Sequence, residues 1–221
     1  MLPYVVLHNQ VSVDGRITGF VPDMGLHYEI AARFEGDIHL AGSNTILSMP
    51  GDVPPEDEGA FREVEKVPDD PRALLVVPDS RGRVRSWHYL RQQPYWRGVA
   101  ALCSKATPAA YIEYLNKRHI DCVVSGEEHV DMRAALEELN KRFAAKRVFC
   151  DSGGTLNGIL LRKGLVNEVS LLINPCMVGS DPPDSIFRAT GGATQGAIPM
   201  KLVHVEQMAN GFVWLRYSID A

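Results

Sequence analysis

The sequence predicts an α/β protein: a three-layer α/β/α sandwich around a mixed, mostly parallel sheet of about nine strands. Short apolar, β-branched runs recur along the 221 residues, and apolar patterns of helical period lie between several of them. This alternation is typical of parallel sheets that are covered on both faces. The last two runs are separated by residues 208–211, a turn too short for a crossover helix, which predicts a C-terminal antiparallel hairpin.

Nine runs have the length and composition of strands, because they are rich in valine, isoleucine, leucine and aromatic residues. In chain order they are Tyr4 to Leu7, Ile38 to Ala41, Leu74 to Val77, Val99 to Cys103, Cys122 to Val124, Val148 to Cys150, Val169 to Ile173, Leu202 to Val205 and Phe212 to Tyr217.

Helices are predicted between several of these strands. Thr107 with Pro108 marks one helix start and Asp131 marks another, while Thr155 lies just inside a third helix that should end near Gly164. Two apolar stripes at helical spacing support the assignment: Leu26, Ile30 and Phe34, and then Met132, Ala135, Leu136, Leu139 and Phe143.

We expect a single domain over residues 1–221, because the chain can build one generous core and no linker or low-complexity segment divides it. An irregular segment at about 49–71 breaks the rhythm of strands and helices with several prolines and acidic clusters. It is either a solvated surface loop or a lid over a site, since long loops in compact domains are often binding elements.

Composition narrows the classes of function. The formal net charge is −4 and the basic residues are scattered among acids, so we expect no nucleic-acid surface. The N-terminal segment lacks the pattern of a secretory signal, and no apolar run is long enough to span a bilayer. These observations predict a cytoplasmic protein that acts on a small molecule and does not bind membranes.

The cysteines and histidines do not form a metal site in sequence. Four cysteines, at positions 103, 122, 150 and 176, are far apart, and no CxxC pair or His/Cys cluster suggests zinc. We therefore expect no metal, and reduced cysteines that pack as small hydrophobic residues. The histidines, His8 and His27 among them, lack ligand spacing and are interpreted as packing residues.

A glycine-rich turn lies between two apolar runs in the segment from Lys146 to Pro175. There Asp151 to Asn157 reads Asp-Ser-Gly-Gly-Thr-Leu-Asn, and a helical pattern follows. A strand that leads through such a turn into a helix presents free backbone N–H groups and the positive helix end to a phosphate. The pattern predicts a nucleotide or another phosphorylated ligand.

Five elements occur in the order and rough spacing of one enzyme family. They are Ser12 to Ile17 (S-x-D-G-R-I), Ala41 to Leu47 (with G-x-x-T-I-L), Asp79-Ser80 after a strand, Asp151 to Asn157, and Leu160 to Glu168. Over nearly its whole length the chain resembles the riboflavin-biosynthesis pyrimidine reductases, members of the dihydrofolate-reductase-like superfamily. The zinc deaminase module of their two-domain versions has no counterpart in this sequence.

The resemblance implies a dihydrofolate-reductase-like fold, a homodimer, and hydride transfer from NADPH that opens a phosphoribosylamino sugar to a ribitylamino chain. The implied cofactor-binding residues are Val11, Thr45, Ser80, Arg81, Gly153, Gly154, Thr155, Leu156 and Asn157. Arg81 or its neighbour Arg83 would meet the 2′-phosphate, because a guanidinium fork suits a phosphate dianion. The alternative for both arginines is a solvated basic turn.

Three residues are assigned to the substrate or to catalysis. Asp151 stands where the family has a glutamate that contacts substrate, so we expect it to orient the substrate hydroxyls. Arg33 has the family spacing of an arginine that binds substrate, although it could also simply complement the end of a helix. Asp14 is either a catalytic carboxylate near the nicotinamide or a turn-forming residue before Gly15.

The chain departs from the family pattern in the segment after Leu47. Met49 and Glu56 stand where a carboxylate and a basic phosphate ligand are expected, and an acid there repels a phosphate. Two alternatives therefore stay open beside the phosphoribosylaminouracil reductase. The chain could reduce a different imine, carbonyl or pterin-like compound, or it could bind NADPH without catalysis.

Overall fold

The computed structural model describes residues 1–49, 51–64, 67, 69–179, 185–188 and 196–219. In this part of the chain the strands are β1 (Tyr4–Ser12), β2 (Ile38–Leu40), β3 (Ala73–Pro78), β4 (Trp96–Cys103), β5 (Asp121–Val124), β6 (Arg147–Cys150), β7 (Glu168–Asn174), β8 (Lys201–Gln207) and β9 (Val213–Ser218). The helices are α1 (Met24–Ala32), α2 (Ser43–Leu47), α3 (Trp87–Arg91), α4 (Ala109–Lys117), α5 (Met132–Phe143) and α6 (Gly154–Arg162), with 3-10 turns at Glu58–Phe61 and Ala209–Gly211.

The contacts divide the chain into two compact units. The first unit comprises Met1–Pro3 and Asp37–Lys146, and the second comprises Tyr4–Gly36 and Arg147–Ala221. The prediction of a single domain stays a prediction, and the two units are described separately.

The first unit contains four parallel strands in the order β5-β4-β3-β2. Its core is formed by the apolar strand residues together with aromatic side chains of the helices, such as Trp87 of α3 and Tyr111 of α4, which are fully buried. Trp87 Nε1 donates to Tyr111 Oη at 2.9 Å, so the one polar atom of the indole is satisfied inside this core. The helix around Trp87 lacks a clear apolar stripe, and the sequence did not reveal it.

The second unit contains β6, β1 and β7 in parallel, followed by β9 and β8, which are antiparallel. Helix α1 packs Ile30 and Phe34 against Phe149, Leu172 and Trp214. The edge strand β8 is largely exposed, with Leu202 and Val205 at half exposure or more. The predicted hairpin is confirmed, and a 3-10 turn at Ala209–Gly211 connects its strands.

The predicted α/β architecture is confirmed. Each of the nine predicted runs is a strand, the strands of each unit other than the C-terminal hairpin are parallel to one another, and helices begin at Asp131 and Gly153 as N-caps. Gly164, with φ of +61°, follows the last helical residues of α6, as a glycine after a helix is expected to do. Of the irregular segment 49–71, positions 50, 65, 66 and 68 lie outside the described residues.

Two further observations concern membranes and metals. Among the residues that the structure describes, no helix combines the length and apolarity needed to cross a bilayer. In the same described ranges, no group of three or more His, Cys, Asp and Glu side chains is arranged to hold a metal ion. The four cysteines are free thiols.

Candidate active site

Asp151 lies directly after β6 and meets a histidine of α1. His27 Nε2 is 3.1 Å from Asp151 Oδ2, and the two side chains are 5% and 24% exposed. Because a carboxylate only accepts hydrogen bonds, the proton in this contact is on His27 Nε2. The structure therefore gives the predicted substrate carboxylate a buried donor that the sequence did not indicate.

A second histidine lies beneath this pair. The ring of His8, from β1, is 4.6 Å from the His27 ring, and its Nδ1 is 2.9 Å from Ser170 Oγ. Burial and, to a smaller extent, the neighbouring His27 lower the pKa of His8 to about 3. His8 is thus neutral at physiological pH and adds no positive charge beneath His27.

The glycine-rich turn opens α6 without a side-chain cap. Gly153 is the N-cap, no side chain of the described residues caps the first turn, and a Cβ at Gly153 would meet none of their atoms. The first backbone N–H groups of a helix lack intrahelical partners, so this turn suits the phosphates of a dinucleotide. Thr155 is exposed on the same turn, whereas Leu156 is buried in the core.

Asn157 is fully buried and organises the turn from below. Its Nδ2 donates to Asn9 Oδ1 at 2.8 Å, to the Ser152 carbonyl at 3.1 Å and to the Ile186 carbonyl at 3.2 Å. Asn9 Nδ2 also donates to the Ser152 carbonyl, at 2.9 Å. These bonds fix the backbone that carries Asp151, so Asn157 shapes the turn through its neighbours.

Two further glycines of this segment serve backbone packing. A Cβ at Gly154 would overlap the carbonyl oxygen of Ser185, and one at Gly158 would overlap that of Arg188. Arg188 N–H also donates to the Gly154 carbonyl, at 2.9 Å. Gly154 and Gly158 therefore let residues 185–188 lie directly on α6, and only Gly153 leaves its side-chain position open.

Asp14 connects the turn after β1 to the segment after β7. It accepts hydrogen bonds from Ser12 Oγ at 2.6 Å, from Val178 N–H at 3.1 Å and from Gly179 N–H at 2.8 Å, and Arg16 Nε lies 3.5 Å away. The bond from Ser12 and the two backbone N–H groups hold the pKa of Asp14 well below its usual range. Both carboxylate oxygens thus take part in joining the two loops. Val11, one step before Ser12, is buried in the ladder with β7.

Arg33 follows the last turn of α1. It pairs with Glu29 at 2.8 Å and with Glu206 of β8 at 3.3 Å, and its guanidinium lies over the Trp214 ring. The structure thus places Arg33 among acidic and aromatic side chains. Arg33 is at the C-terminal end of α1, whereas His27 is in the first turn of that helix. The predicted role of Arg33 in substrate binding stays a prediction.

In the first unit, a basic turn meets the start of α2. Arg83 Nη2 donates to Ser43 Oγ at 3.1 Å and to Asn44 Oδ1 at 2.7 Å, and Arg81 is exposed on the same turn. Gly82 between them has φ of +63°, and a Cβ there would overlap the Tyr111 ring. The turn is therefore fixed, and its two arginines project from a defined backbone.

Thr45 and Ser80 belong to the same strand-end region of the first unit. Thr45 is half-buried in α2, and Ser80 Oγ accepts the Val130 N–H at 3.1 Å. Thr107 Oγ1 donates to the Ser80 carbonyl at 3.0 Å. The loop at Ser80 is thus braced by the loops that follow β4 and β5.

Glu56, in the segment that departs from the family pattern, is held by a cation. It accepts hydrogen bonds from Arg118 Nε at 2.7 Å and also from Arg118 Nη2. The Arg118 hydrogen bonds are the main reason that the pKa of Glu56 lies below its usual value. Tyr114 Oη donates to the same carboxylate at 3.3 Å. Glu56 therefore anchors its segment to α4 as one half of an ion pair.

His27 is the site residue that sequence reasoning missed. Its only sequence signal was its place beside the apolar stripe of α1, which indicates packing as readily as function. Its contact with Asp151 joins residues 124 positions apart and becomes visible only when α1 and β6 come together.

Comparison with known proteins identifies a matching family and similar relatives. The model of the RibD C-terminal domain family matches residues 3–214. The 2,5-diamino-6-ribosylamino-4(3H)-pyrimidinone 5′-phosphate reductase of Methanothermobacter thermautotrophicus is 33% identical over 187 residues, 81% of each chain.

Solved structures share the fold. A pyrimidine reductase-like protein from Corynebacterium diphtheriae superposes with a TM-score of 0.74 at 16% identity, over 99% of this chain and 92% of that one. RibD of Acinetobacter baumannii gives 0.71 at 17% identity over 99% of this chain, which spans only 58% of that protein.

Proposed function

The chain belongs to the RibD C-terminal domain family, the pyrimidine reductases of riboflavin biosynthesis, and on that premise we propose that it reduces a ribosylaminopyrimidine 5′-phosphate with NADPH. It is an oxidoreductase of that family. When bound, the cofactor supplies the hydride for C1 of the ribosyl group, and the protein supplies alignment and a polar environment.

One observation carries this proposal. Asp151 is held by a buried histidine at the end of β6, two residues before a helix start that no side chain of the described residues caps. A fixed carboxylate can hold the substrate hydroxyls, while the uncapped turn can hold the cofactor diphosphate. The residues present thus fit a dinucleotide and a polyhydroxylated substrate.

For the 2′-phosphate of the cofactor, we propose the two arginines that the family resemblance indicates, Arg81 and Arg83. Arg83 offers a guanidinium group beside the hydroxyl of Ser43, and Arg81 is exposed on the same turn. Guanidinium and hydroxyl donors suit a phosphate monoester. This assignment favours NADPH over NADH, because NADH lacks that phosphate.

The cofactor assignment has a direct test. Arg83→Ala should raise KM for NADPH by about 10-fold or more and leave KM for NADH unchanged, since a hydrogen bond to a charged group contributes about 1.5–3 kcal/mol. Arg81→Ala tests the other arginine in the same way, and Lys117→Ala on α4 is the charge-matched control. Equal effects on both cofactors would contradict the assignment.

For the substrate, the ion pair between Glu56 and Arg118 weakens the repulsion that Glu56 would exert on a phosphate. A carboxylate already neutralised by a guanidinium repels a second anion only weakly. We therefore propose a phosphorylated substrate. Because the Methanothermobacter thermautotrophicus relative is named for the 2,5-diamino-4(3H)-pyrimidinone compound, we place that form before the deaminated uracil form.

The experiment is steady-state NADPH oxidation with each of the two phosphorylated compounds and with their dephosphorylated forms. We expect turnover with the phosphorylated pyrimidinone and a loss of kcat/KM of roughly 100-fold or more in Asp151→Asn, in the range of a positioned acid–base or orienting group. Asp121→Asn, a surface carboxylate at the start of β5, is the control. Turnover of only dephosphorylated or unrelated carbonyl substrates would favour a different reductase. NADPH binding without any turnover would favour a non-catalytic binding protein.

Two predicted site residues keep narrower roles in this proposal. We propose that Asp14 acts by joining the loops after β1 and β7, because the hydroxyl of Ser12 and two backbone N–H groups engage its oxygens. Arg33 would bind substrate only by exchanging its carboxylate partners for the phosphate. Arg33→Ala should therefore raise KM for the phosphorylated substrate alone if that exchange takes place.

We also propose a cytoplasmic homodimer. Four free cysteines suit a reducing compartment. The apolar face of the edge hairpin, formed by Leu202, Val205, Leu215 and Tyr217, offers a surface that a second copy of the chain can cover.

A further inference from the structure

We infer that His27 is a positioning residue for the reductase: it donates its Nε2 proton to Asp151 and thereby fixes the carboxylate that orients the substrate. This inference rests on the proposed function. Its basis is the 3.1 Å contact between His27 Nε2 and Asp151 Oδ2, made by an imidazole that is almost fully buried.

The histidine side of the contact is rigid. His27 lies in the first turn of α1, whose N-cap Asp23 accepts the Leu26 N–H at 2.9 Å. Gln10 of β1 then bonds the backbone of Asp23 twice, from Asp23 N–H to Oε1 at 3.0 Å and from Nε2 to the Asp23 carbonyl at 2.8 Å. The start of α1 is therefore clamped to β1, and the position of the His27 backbone is set by the sheet.

The carboxylate side is rigid as well. Asp151 follows β6 without an intervening residue, and the next carbonyl, that of Ser152, accepts hydrogen bonds from both Asn9 and Asn157. The contact thus joins two side chains whose backbones are already held in place. Because little conformational freedom is lost when it forms, the bond can fix the direction of the carboxylate.

The surroundings of His27 explain why a histidine is suited to this position. Its ring lies against His8 at 4.6 Å and is edge-on to Tyr28 at 5.2 Å and Phe149 at 6.5 Å. His8 is itself oriented by Ser170 Oγ, which accepts the Trp214 Nε1–H at 2.8 Å. A planar ring fills this aromatic pocket, while its outer nitrogen reaches the carboxylate.

Two substitutions separate the ring from the hydrogen bond. His27→Phe keeps the ring and removes the donor, and His27→Gln keeps an N–H near the position of Nε2 and removes the ring. We expect His27→Phe to lower kcat by roughly 100-fold, the cost of a misplaced group, with KM for NADPH within twofold of wild type. We expect His27→Gln to recover at least a tenth of the wild-type kcat, and His119→Gln, an exposed histidine after α4, to match wild type.

A double-mutant cycle tests whether His27 acts through Asp151. In an Asp151→Asn background, His27→Phe should change kcat by less than about threefold, because residues that act as a unit are not additive. Thermal unfolding of each variant shows whether the fold is retained. Equal losses in the wild-type and Asp151→Asn backgrounds, or equal losses in His27→Phe and His27→Gln, would overturn the inference.

The same experiment distinguishes this inference from its premise. If wild-type protein does not turn over the pyrimidine substrates, the proposed function fails, and the inference fails with it. If wild type is active and Asp151→Asn is not, while His27→Phe keeps full activity, the proposed function stands and only the inference is overturned.

Discussion

At the scale of single residues, Asp14 shows how a carboxylate can be strongly perturbed without being deeply buried. Its side chain is 21% exposed, yet the hydroxyl of Ser12 and the backbone N–H groups of Val178 and Gly179 all donate to it. Hydrogen bonds to the ionised form favour that form, so the pKa falls below its ordinary value. The perturbed residue is therefore a structural link between loops as readily as a catalytic group.

This perturbation predicts a pH dependence of stability. Because the folded-state pKa of Asp14 is depressed, its stabilising contribution is complete above the ordinary value of 3.8 and is lost as the pH falls below it. Asp14→Asn should lower the free energy of unfolding at neutral pH, and the difference from wild type should shrink between about pH 5 and about pH 3. Urea unfolding across this range measures it. A difference that stays constant with pH, or one that Asp121→Asn reproduces, would contradict the role of the ionised carboxylate.

At the scale of elements, α6 combines two uses of glycine. Gly153 leaves its side-chain position open at the helix start, whereas Gly154 and Gly158 admit the backbone of residues 185–188. Sequence alone treated Gly153 and Gly154 alike, as parts of one phosphate-binding turn. Only the packed structure separates them, because the contacting residues come about thirty positions later in the chain.

The glycines of α6 lead to a prediction in which the sign of the change in stability is informative. Helix propensity alone would make Gly158→Ala stabilising by about 1 kcal/mol. Overlap of the new Cβ with the Arg188 carbonyl instead predicts a loss of about 1–3 kcal/mol, the usual cost of overpacking, and the same for Gly154→Ala at Ser185. Thermal unfolding measures both. Gly196→Ala, where a Cβ meets nothing in the described chain, is the control, and a rise in stability for Gly158→Ala would refute the packing role.

The segment at 49–71 is attached to the C-terminal end of α4 by an ion pair. Glu56 pairs with Arg118, whose guanidinium also lies over the rings of Tyr114 and Phe61. Arg91 adds a bond from Nη2 to the Gly59 carbonyl. The part of the segment around Glu56 is thus anchored, although its acidic composition suggested a solvated loop or a lid.

Removal of this anchor should expose the segment. Arg118→Ala leaves Glu56 without the Arg118 guanidinium and removes the contacts with the rings. We therefore expect a nonspecific protease, added at a low ratio of protease to protein, to cleave residues 51–64 faster. Mass spectrometry of the fragments locates the cuts. The matched control is Lys117→Ala, which changes the residue directly before Arg118 and breaks an exposed ion pair with Glu113. This variant should be cleaved at the wild-type rate. If both variants are cleaved alike, the ion pair does not hold the segment.

At the scale of the whole molecule, the edge hairpin carries the prediction of a homodimer. Leu202 pairs with Tyr217 and Val205 with Leu215, so these four side chains share one face of the hairpin. Leu202 is 50% exposed and Val205 is 60% exposed. An exposed apolar edge strand that no second chain covers would be an aggregation site, which favours a partner on this face.

We expect the wild-type protein to sediment with twice the mass of one chain and Val205→Asp to sediment as a monomer. A charge on the apolar face leaves an uncompensated carboxylate in the interface. Val124→Asp, at a valine that ends β5 in the other unit and is 52% exposed, should leave the mass unchanged. A wild-type monomer, or a Val205→Asp dimer, would exclude this face as the interface.

Local sequence patterns were sufficient to predict the α/β class, the nine strands, the hairpin and the family. These properties depend on local periodicity and on motifs whose residues lie close together in the chain, such as Asp151 to Asn157. Short helices such as α3 were not predicted, because a helix of five residues is too short to show a periodic apolar pattern. Trp87 of this helix is nevertheless fully buried.

The folded structure was needed to show which partners the predicted site residues have. It paired Asp151 with His27, engaged both oxygens of Asp14, surrounded Arg33 with acids and neutralised Glu56 with Arg118. These contacts join residues far apart in the chain, apart from the pair between Arg33 and Glu29 and the bond from Ser12 to Asp14. Sequence can nominate an ionisable side chain, but its charge, orientation and freedom are set by groups that only the folded chain brings within hydrogen-bond distance.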